Sequence, residues 1–297
     1  MIQRWWRRRR IPRFPPPELD AETIQVGYTI YLYLPHAADI WQRGSLRPYF
    51  RYRYFTITKK DGTPRQLAEP DVELKVIQHK ILRYYLQPLG AHESAVGYRP
   101  HRSVADHVWA HAGAHTIITA DIEDFFPTTT ETRVRAWWRT QFEGEQAADL
   151  LTLLTTDRGY LPQGAPTSPA LSNLVNTEMD ERLNQRAGRA GAVYTRYCDD
   201  MVFSWRGHDQ PPSDFEESVR AVLREYGYRL NADKGWRVWD WADEPEVTGL
   251  ILTRNGEVDL PPEMRRTMKR LARSRDPYDE TRLAGYRGYE KMVRRGR

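Results

Sequence analysis

Residues 193–205 read Val-Tyr-Thr-Arg-Tyr-Cys-Asp-Asp-Met-Val-Phe-Ser-Trp, two β-rich runs separated by an acidic pair. The runs favour strands and the pair a tight turn, so the segment reads as a hairpin with Asp199 and Asp200 at its tip. Working outward, Pro169 to Gln185 sets Leu171, Leu174, Val175, Met179 and Leu183 on one face of a helix. Asp214 to Tyr226 does the same with Phe215, Val219, Val222 and Leu223, and Gly227 is placed to end it. His115 to Ala120 is short and β-branched, a candidate buried strand that ends at Asp121. The order strand, helix, hairpin, helix, strand is the split β-α-β pattern of a ferredoxin-like sheet with helices on one face, which places the chain in the α+β class.

Arg51 to Thr58 alternates aromatic with polar or basic residues, Lys59 to Pro64 supplies turn chemistry, and Arg65 to Leu67 begins a return strand. From Asp71 a helical pattern runs through Val72, Val76, Ile77, Ile81 and Leu82. Residues 1–17 are basic, aromatic and proline-rich, either a solvated tail or an arm that grips nucleic acid, with arginines beside Trp5 and Trp6 to meet phosphate and bases. Near the other end, Pro262 to Ser274 reads as a helix carrying Arg265, Arg266, Lys269, Arg270 and Arg273 around Met264, Met268 and Leu271.

Of 297 residues, 40% are hydrophobic and 29% charged, enough apolar content for a real core, with a formal net charge of +5 that mildly favours a polyanionic partner. The single cysteine, Cys198, excludes an internal disulfide framework and fits a reducing cytosol. No run approaches the roughly 18 apolar residues of a membrane span, and the basic N-terminus lacks an apolar signal core. The expectation is a cytoplasmic protein without a membrane partner.

Three carboxylates stand at two strand ends, Asp121 on one strand and Asp199-Asp200 at the hairpin turn. In a split β-α-β sheet those strands are neighbours, so the side chains can converge. Acids packed together repel unless cations neutralise them, and oxygen-only ligands favour Mg²⁺, with Mn²⁺ able to substitute, over zinc. Two such ions about 4 Å apart would serve an in-line phosphoryl displacement. Taken alone, an Asp-Asp pair is more often an ordinary turn; here Tyr197 and apolar flanks surround it. Leu161 to Pro169, Leu-Pro-Gln-Gly-Ala-Pro-Thr-Ser-Pro, is a stiff loop whose Ser168-Pro169 suits a helix N-cap and first turn.

Asp121-Ile122-Glu123-Asp124-Phe125-Phe126, then Leu161 to Pro169, then Tyr197-Cys198-Asp199-Asp200, strongly resemble the first three polymerase motifs of reverse transcriptases. Asn231-Ala232-Asp233-Lys234 is similar to the fourth, Val247-Thr248-Gly249-Leu250 to the fifth, and Lys59 to Arg65 resembles the fingers hairpin that meets the incoming nucleotide. Within the family, these motifs and Ala95 to Val104 look most like bacterial retron enzymes. Two departures are visible: retron enzymes usually have alanine where this chain has Cys198, and their Asn-Ala-x-x-His element matches His107-Val108-Trp109-Ala110-His111 only at the final histidine.

The resemblance implies a right-hand polymerase fold: a basic arm and leading helical segment over 1–50, fingers over 51–115, a ferredoxin-like palm over 116–253 with part of the fingers inserted around 127–165, and a short helical thumb over 254–297. It implies an RNA-directed DNA polymerase in which Asp121, Asp199 and Asp200, with the Ile122 carbonyl, hold two Mg²⁺ ions and Lys234 is the general acid for pyrophosphate. Lys59 and Arg65 would clamp the triphosphate, Phe126 would exclude a ribose 2′-hydroxyl, and Gln163 and Gly164 would meet nucleotide or template. Val247, Thr248, Gly249 and the basic helix with Arg265, Arg266, Lys269, Arg270 and Arg273 would grip primer and RNA.

For a retron it further implies a cognate non-coding RNA as template and 2′-hydroxyl primer, a branched RNA–DNA product, dNTP substrates, an effector protein encoded nearby and anti-phage defence. The alternatives are another defence-associated or diversity-generating reverse transcriptase and, in a different class, a catalytically idle RNA-binding scaffold. A group II intron maturase would need a C-terminal maturation domain beyond Arg297. No RNase H activity is expected.

Overall fold

The computed structural model describes residues 19–58, 62–207 and 210–295. The basic stretch 1–17 and Lys59 lie outside the described residues. The chain divides into two compact units, the first Met1–Gly90 with Thr129–Val175, the second Ala91–Thr128 with Asn176–Arg297.

In the first unit, β1 (Tyr52–Thr58) and β2 (Pro64–Pro70) form the expected antiparallel hairpin, with Ile57 opposite Arg65. Asp71 then caps the helix Val72–Ile81, its carboxylate accepting from Leu74 N–H at 2.9 Å. That helix buries Leu74, Ile77, Gln78 and Ile81, so the expected apolar face is displaced: Val72 and Val76 are exposed. Gln78 fixes the rotation, its Nε2 donating to the Leu154 carbonyl at 2.8 Å and to Tyr52 Oη at 2.7 Å. The helix Glu145–Thr155 is the hub, packing against the helices Ala21–Thr29, Leu34–Arg43 and Glu131–Trp138. Ser168 does not act as the expected N-cap: its Oγ donates back to the Pro162 carbonyl at 2.7 Å, closing the rigid loop on itself.

In the second unit, β3 (Thr116–Asp121), β4 (Val193–Tyr197), β5 (Asp200–Trp205) and β6 (Arg237–Asp240) make an antiparallel sheet in the order β4-β5-β3-β6. This is the split β-α-β order expected of a ferredoxin-like palm. Directly opposed residues share a face, so register assigns the sides. Ile118 opposes Phe203 and Ala120 opposes Met201 on one face. There Phe203 stacks on Tyr194 at 4.9 Å and meets Phe215 edge-on at 5.2 Å, under the helices Thr177–Arg189 and Phe215–Glu225.

The other face carries Ile117, Val202, Asp121 and Asp200. It is covered as well, by the helix Val104–Trp109 and the small sheet of β7 (Glu246–Val247), β8 (Leu250–Leu252) and β9 (Val258–Asp259). The expectation of helices on one face alone is thus incomplete, as β5 already hints by being apolar on both faces.

The single helix expected from Pro169 to Gln185 is two, Ser168–Val175 and Thr177–Arg189, broken at Asn176. Asn176 is buried and its Nδ2 donates to Tyr228 Oη at 2.9 Å, a side-chain partner that competes with helix continuation. The C-terminal helix is also shorter than expected, Pro262–Leu271, and a second, Pro277–Arg295, follows it.

Arg196 and Asp180 form a fully buried bidentate pair, 2.8 Å at Nε and 2.5 Å at Nη2, joining the helix Thr177–Arg189 to β4. Removing one partner strands a charge in the core. Arg196→Met is expected to destabilise the protein by about 3–5 kcal/mol in urea unfolding. Arg196→Met with Asp180→Leu should recover much of that loss.

Candidate active site

β3 and β5 are in register so that Asp121 and Asp200 are direct cross-strand partners on the same face. Asp199 sits in the two-residue turn between β4 and β5, and its carbonyl accepts from Ile122 N–H at 3.0 Å, tying the turn to the end of β3. The turn runs through Cys198 at φ +62°, a left-handed conformation that a residue with a β-carbon rarely adopts.

Three contacts hold it there. Arg196 Nη1 donates to the Cys198 carbonyl at 2.9 Å. The segment Ser94–Gly97 lies along Arg196, with Val96 N–H donating to its carbonyl at 2.8 Å and Arg196 N–H to the Ser94 carbonyl at 2.7 Å. Gly97 then passes so near that a β-carbon there would come within 3.0 Å of Cys198 N and 3.2 Å of Tyr197 Cα. Burial, reinforced by Asp199, pushes the Cys198 thiol well up, so it packs as a neutral group.

Along the acid-bearing face of the hairpin runs a hydrogen-bonded chain: His107 Nδ1 to Thr195 Oγ1, Thr195 Oγ1 to His111 Nε2, and His111 Nδ1 to Ser204 Oγ, each 2.7 Å. Burial holds both imidazoles neutral, His107 at about 3 with Arg196 adding to the effect, and His111 well below its ordinary value. The element His107 to His111, which matches the retron pattern only at its last residue, therefore uses both histidines to brace β4 and β5. Alternation along β4 and β5 puts Thr195 and Ser204 on that face, but nothing in the sequence names their partners.

A cleft of about 190 Å³ opens over Asp121 and Asp200, and Lys234, Val247 and Thr248 line it with Arg237, Trp239 and Glu246. The last three are additions that the sequence reading missed, although Arg237 and Trp239 alternate along β6 onto the acid-bearing face. Thr248 and Gly249 both have positive φ, +47° and +81°, in the two-residue turn between β7 and β8. That turn lets Thr248 Oγ1 donate to Asp200 Oδ2 at 3.3 Å. Burial, then the charges of Asp199 and Asp121, raise the Asp200 carboxyl from 3.8 to about 7, against the opposing pull of Thr248 and Lys234.

Among the described residues no group of three or more His, Cys, Asp or Glu side chains is drawn together as a ready metal cage. The donor chemistry still suits a hard cation: the site is all-oxygen, and the burial and crowding that raise Asp200 are what a bound cation would offset.

Phe126 lies five residues beyond Asp121, nearly buried at 9% exposure beside Phe125, whose ring packs against Tyr228 at 5.4 Å and under Arg196. Gln163, Gly164 and Arg65 belong to the first unit. There Ala68 N–H donates to the Gln163 carbonyl at 2.8 Å, and a β-carbon on Gly164, at φ +120°, would come within 3.0 Å of the Ala68 carbonyl oxygen, so the close approach it permits is to β2. Arg65 is exposed on the same strand. Arg265 is engaged by Asp259, while Arg266, Lys269, Arg270 and Arg273 stand exposed on the helix Pro262–Leu271 and the turn after it.

Residues 57–252 match the family model described as reverse transcriptase (RNA-dependent DNA polymerase). The chain is 34% identical over 233 residues to the Retron Mx162 reverse transcriptase of Myxococcus xanthus, covering 69% of this chain and 48% of that protein. It is 36% identical over 209 residues to the Retron Ec86 reverse transcriptase of Escherichia coli, covering 69% and 64%. To the Retron Ec73 reverse transcriptase of the same organism it is 30% identical over 264 residues, covering 80% and 81%. The chain thus spans about half the length of the first of these relatives and under two thirds of the second.

Asp200 has a raised folded-state pKa, so its charge opposes folding above about 7 and ceases to as pH falls toward 3.8. In chelator, Asp200→Asn is expected to melt higher than the wild type at pH 8. The two melting curves should draw together as pH falls through that window. A variant that melts no higher at pH 8 would show that neither burial nor the neighbouring acids penalise the Asp200 charge.

Proposed function

Because the chain belongs to the reverse transcriptase family, and to its retron branch, we propose that it is an RNA-directed DNA polymerase that copies a cognate structured non-coding RNA into single-stranded DNA. The observation that carries this reading is the direct cross-strand pairing of Asp121 with Asp200, beside the Asp199 turn and in one cleft with Lys234. A scaffold that only bound RNA would have no use for a carboxylate held at so unfavourable a potential.

Asp121, Asp199 and Asp200, with the Ile122 carbonyl, would hold two divalent cations, Mg²⁺ or Mn²⁺. Bound there, the metal supplies activation of the attacking hydroxyl and neutralisation of the phosphates. Thr248 orients Asp200 through its hydroxyl, and Lys234 offsets the negative potential and would deliver a proton to the departing pyrophosphate. Phe126 would bar a 2′-hydroxyl and so select dNTPs. Lys59 and Arg65 on the first unit's hairpin would clamp the triphosphate, with Gln163 and Gly164 supporting nucleotide and template.

Val247, Thr248, Gly249 and the cationic face from Arg265 to Arg273 would grip primer and RNA, where fixed positive charge releases counterions from phosphates. In this reading synthesis starts from a 2′-hydroxyl of the cognate RNA and leaves a branched RNA–DNA, in the cytoplasm, within a defence system that includes an effector. Among the described residues no helix is long and apolar enough to cross a membrane, and the proposal includes no membrane partner.

Primed extension on a poly(rA) template should require Mg²⁺ or Mn²⁺ and disappear in the Asp199→Ala, Asp200→Ala variant while RNA affinity persists. Wild-type protein that binds RNA but never extends a primer would sink the polymerase reading. Phe126→Val should raise incorporation of ribonucleotides by at least about tenfold relative to dNTPs, a shift of about 1.4 kcal/mol in discrimination. An unchanged ratio would remove Phe126 from the gate.

A further inference from the structure

The helix Ala21–Thr29 ends in a way that its sequence does not favour. Leu32 N–H returns to the Gly27 carbonyl at 2.9 Å, and Tyr31 sits in the closing position at φ +58°. Helices close through that conformation most often on glycine, which has no β-carbon to clash. Tyrosine there gains no burial to offset the strain, for Tyr31 is 65% exposed and Tyr28, one turn earlier, 64%.

Tyr31 belongs to a larger surface. The helix Val72–Ile81 carries Lys80, whose Nζ lies 4.7 Å from the Tyr31 ring centre and 5.8 Å from that of Tyr84, and Arg83 lies 5.5 Å from the Tyr84 ring. Tyr84 is itself 43% exposed, and Val76, one turn before Lys80, 51%. Neither Lys80 nor Arg83 has a carboxylate partner among the described residues. Exposed tyrosine rings, interleaved with cations that have no carboxylate partner among the described residues, match the two chemistries of a nucleic-acid strand, base faces and phosphates.

We propose that Tyr28, Tyr31, Lys80, Arg83 and Tyr84, all in the first unit, form a stacking platform for single-stranded nucleic acid. Taking that strand to be the RNA template rests on the polymerase reading; the platform itself does not. The uncompensated cations favour a polyanion over an apolar protein surface as occupant. The rings are exposed and carry little sequence preference, since every base offers a π-face.

The test uses the full chain and a fluorescein-labelled, unstructured oligo(rU), by anisotropy across a salt series, with ultraviolet crosslinking and peptide mapping of the adducts. Adducts are expected on the peptides bearing Tyr28 and Tyr31 or Tyr84. Tyr31→Ala and Tyr84→Ala should each weaken binding by about fivefold to a hundredfold, the effect of losing one stacked base. Tyr31→Phe should retain affinity, which separates stacking from any loss of fold. Lys80→Gln should reduce the salt slope by about 0.7.

Adducts confined to other peptides, with affinity unchanged in the alanine variants, would overturn the platform. So would a concentration-dependent dimer in sedimentation that Tyr31→Ala dissociates without altering oligonucleotide affinity, since the patch would then join two copies of the chain. Binding and crosslinking need no catalysis. Wild-type protein that crosslinks at these tyrosines yet never extends a primer would refute the polymerase reading and leave the platform standing.

Discussion

A guanidinium cut off from water, Arg196, faces an equally buried carboxylate, Asp180, and every feature of the acidic turn leans on that pair. Burying two charges is costly, and nothing in core packing alone demands it. The return lies in direction: Arg196 has donors to spare, and after satisfying Asp180 it reaches the Cys198 carbonyl. Tyr194 Oη donates at 2.9 Å to the same Asp180 oxygen, Oδ1, that Arg196 Nε holds. A hydrophobic core would hold β4 against its helix as firmly, but it would not aim a hydrogen bond at one carbonyl of a two-residue turn.

From the turn outward, the arrangement is a contest between like charges and the groups that restrain them. Strand parity brings Asp121 and Asp200 to one face, and the left-handed residue at 198 sets Asp199 beside them. Repulsion and burial act against this placement, and Thr248, Lys234 and the backbone bond from Ile122 to Asp199 act for it. The histidine chain through Thr195 and Ser204 fixes the same face of the sheet further along the strands, neutral and therefore adding no charge of its own. Such a site is strained toward accepting a cation, which is the direction a polymerase would need.

The parts of this arrangement that were legible in the sequence share one property: they are local. Alternation in 193–205 and the β-branched run before Asp121 announce strands, and the sheet order follows from the order of elements. The acids stand where the strand ends put them. The rest required partners distant in the chain. Val72 and Val76 carry the periodicity of a buried face, yet Gln78, bonded to Leu154 and Tyr52, turns the helix the other way. Asn176 has no local signal to break a helix except through Tyr228, fifty-two positions later. Gly97 reads as a flexible residue until the backbone of Cys198 is seen against it. The roles of Arg237 and Trp239 in the cleft depend on the pairing of β6 with β3, and that of Glu246 on the pairing of β7 with β8, neither of which short segments encode.

The first unit is made of two pieces, Met1–Gly90 and Thr129–Val175, with thirty-eight residues of the second unit threaded between them. Its hub, the helix Glu145–Thr155, belongs to the later piece, while Gln78 and two of the helices packed on the hub, Ala21–Thr29 and Leu34–Arg43, belong to the earlier. During synthesis from the N-terminus, the first ninety residues therefore leave the ribosome without the helix that completes their core. They must wait, with Val26, Ile40 and Leu74 uncovered, until the sixty-five further residues to Thr155 have emerged, several seconds at about 5–20 residues per second. The second unit waits too, since β3 is made well before β5 and β6. Neither unit can finish as a vectorial, N-terminal-first domain. The chain is thus exposed longest at birth, and its yield in a cell will be set by how well that interval is protected as much as by the stability of the finished fold.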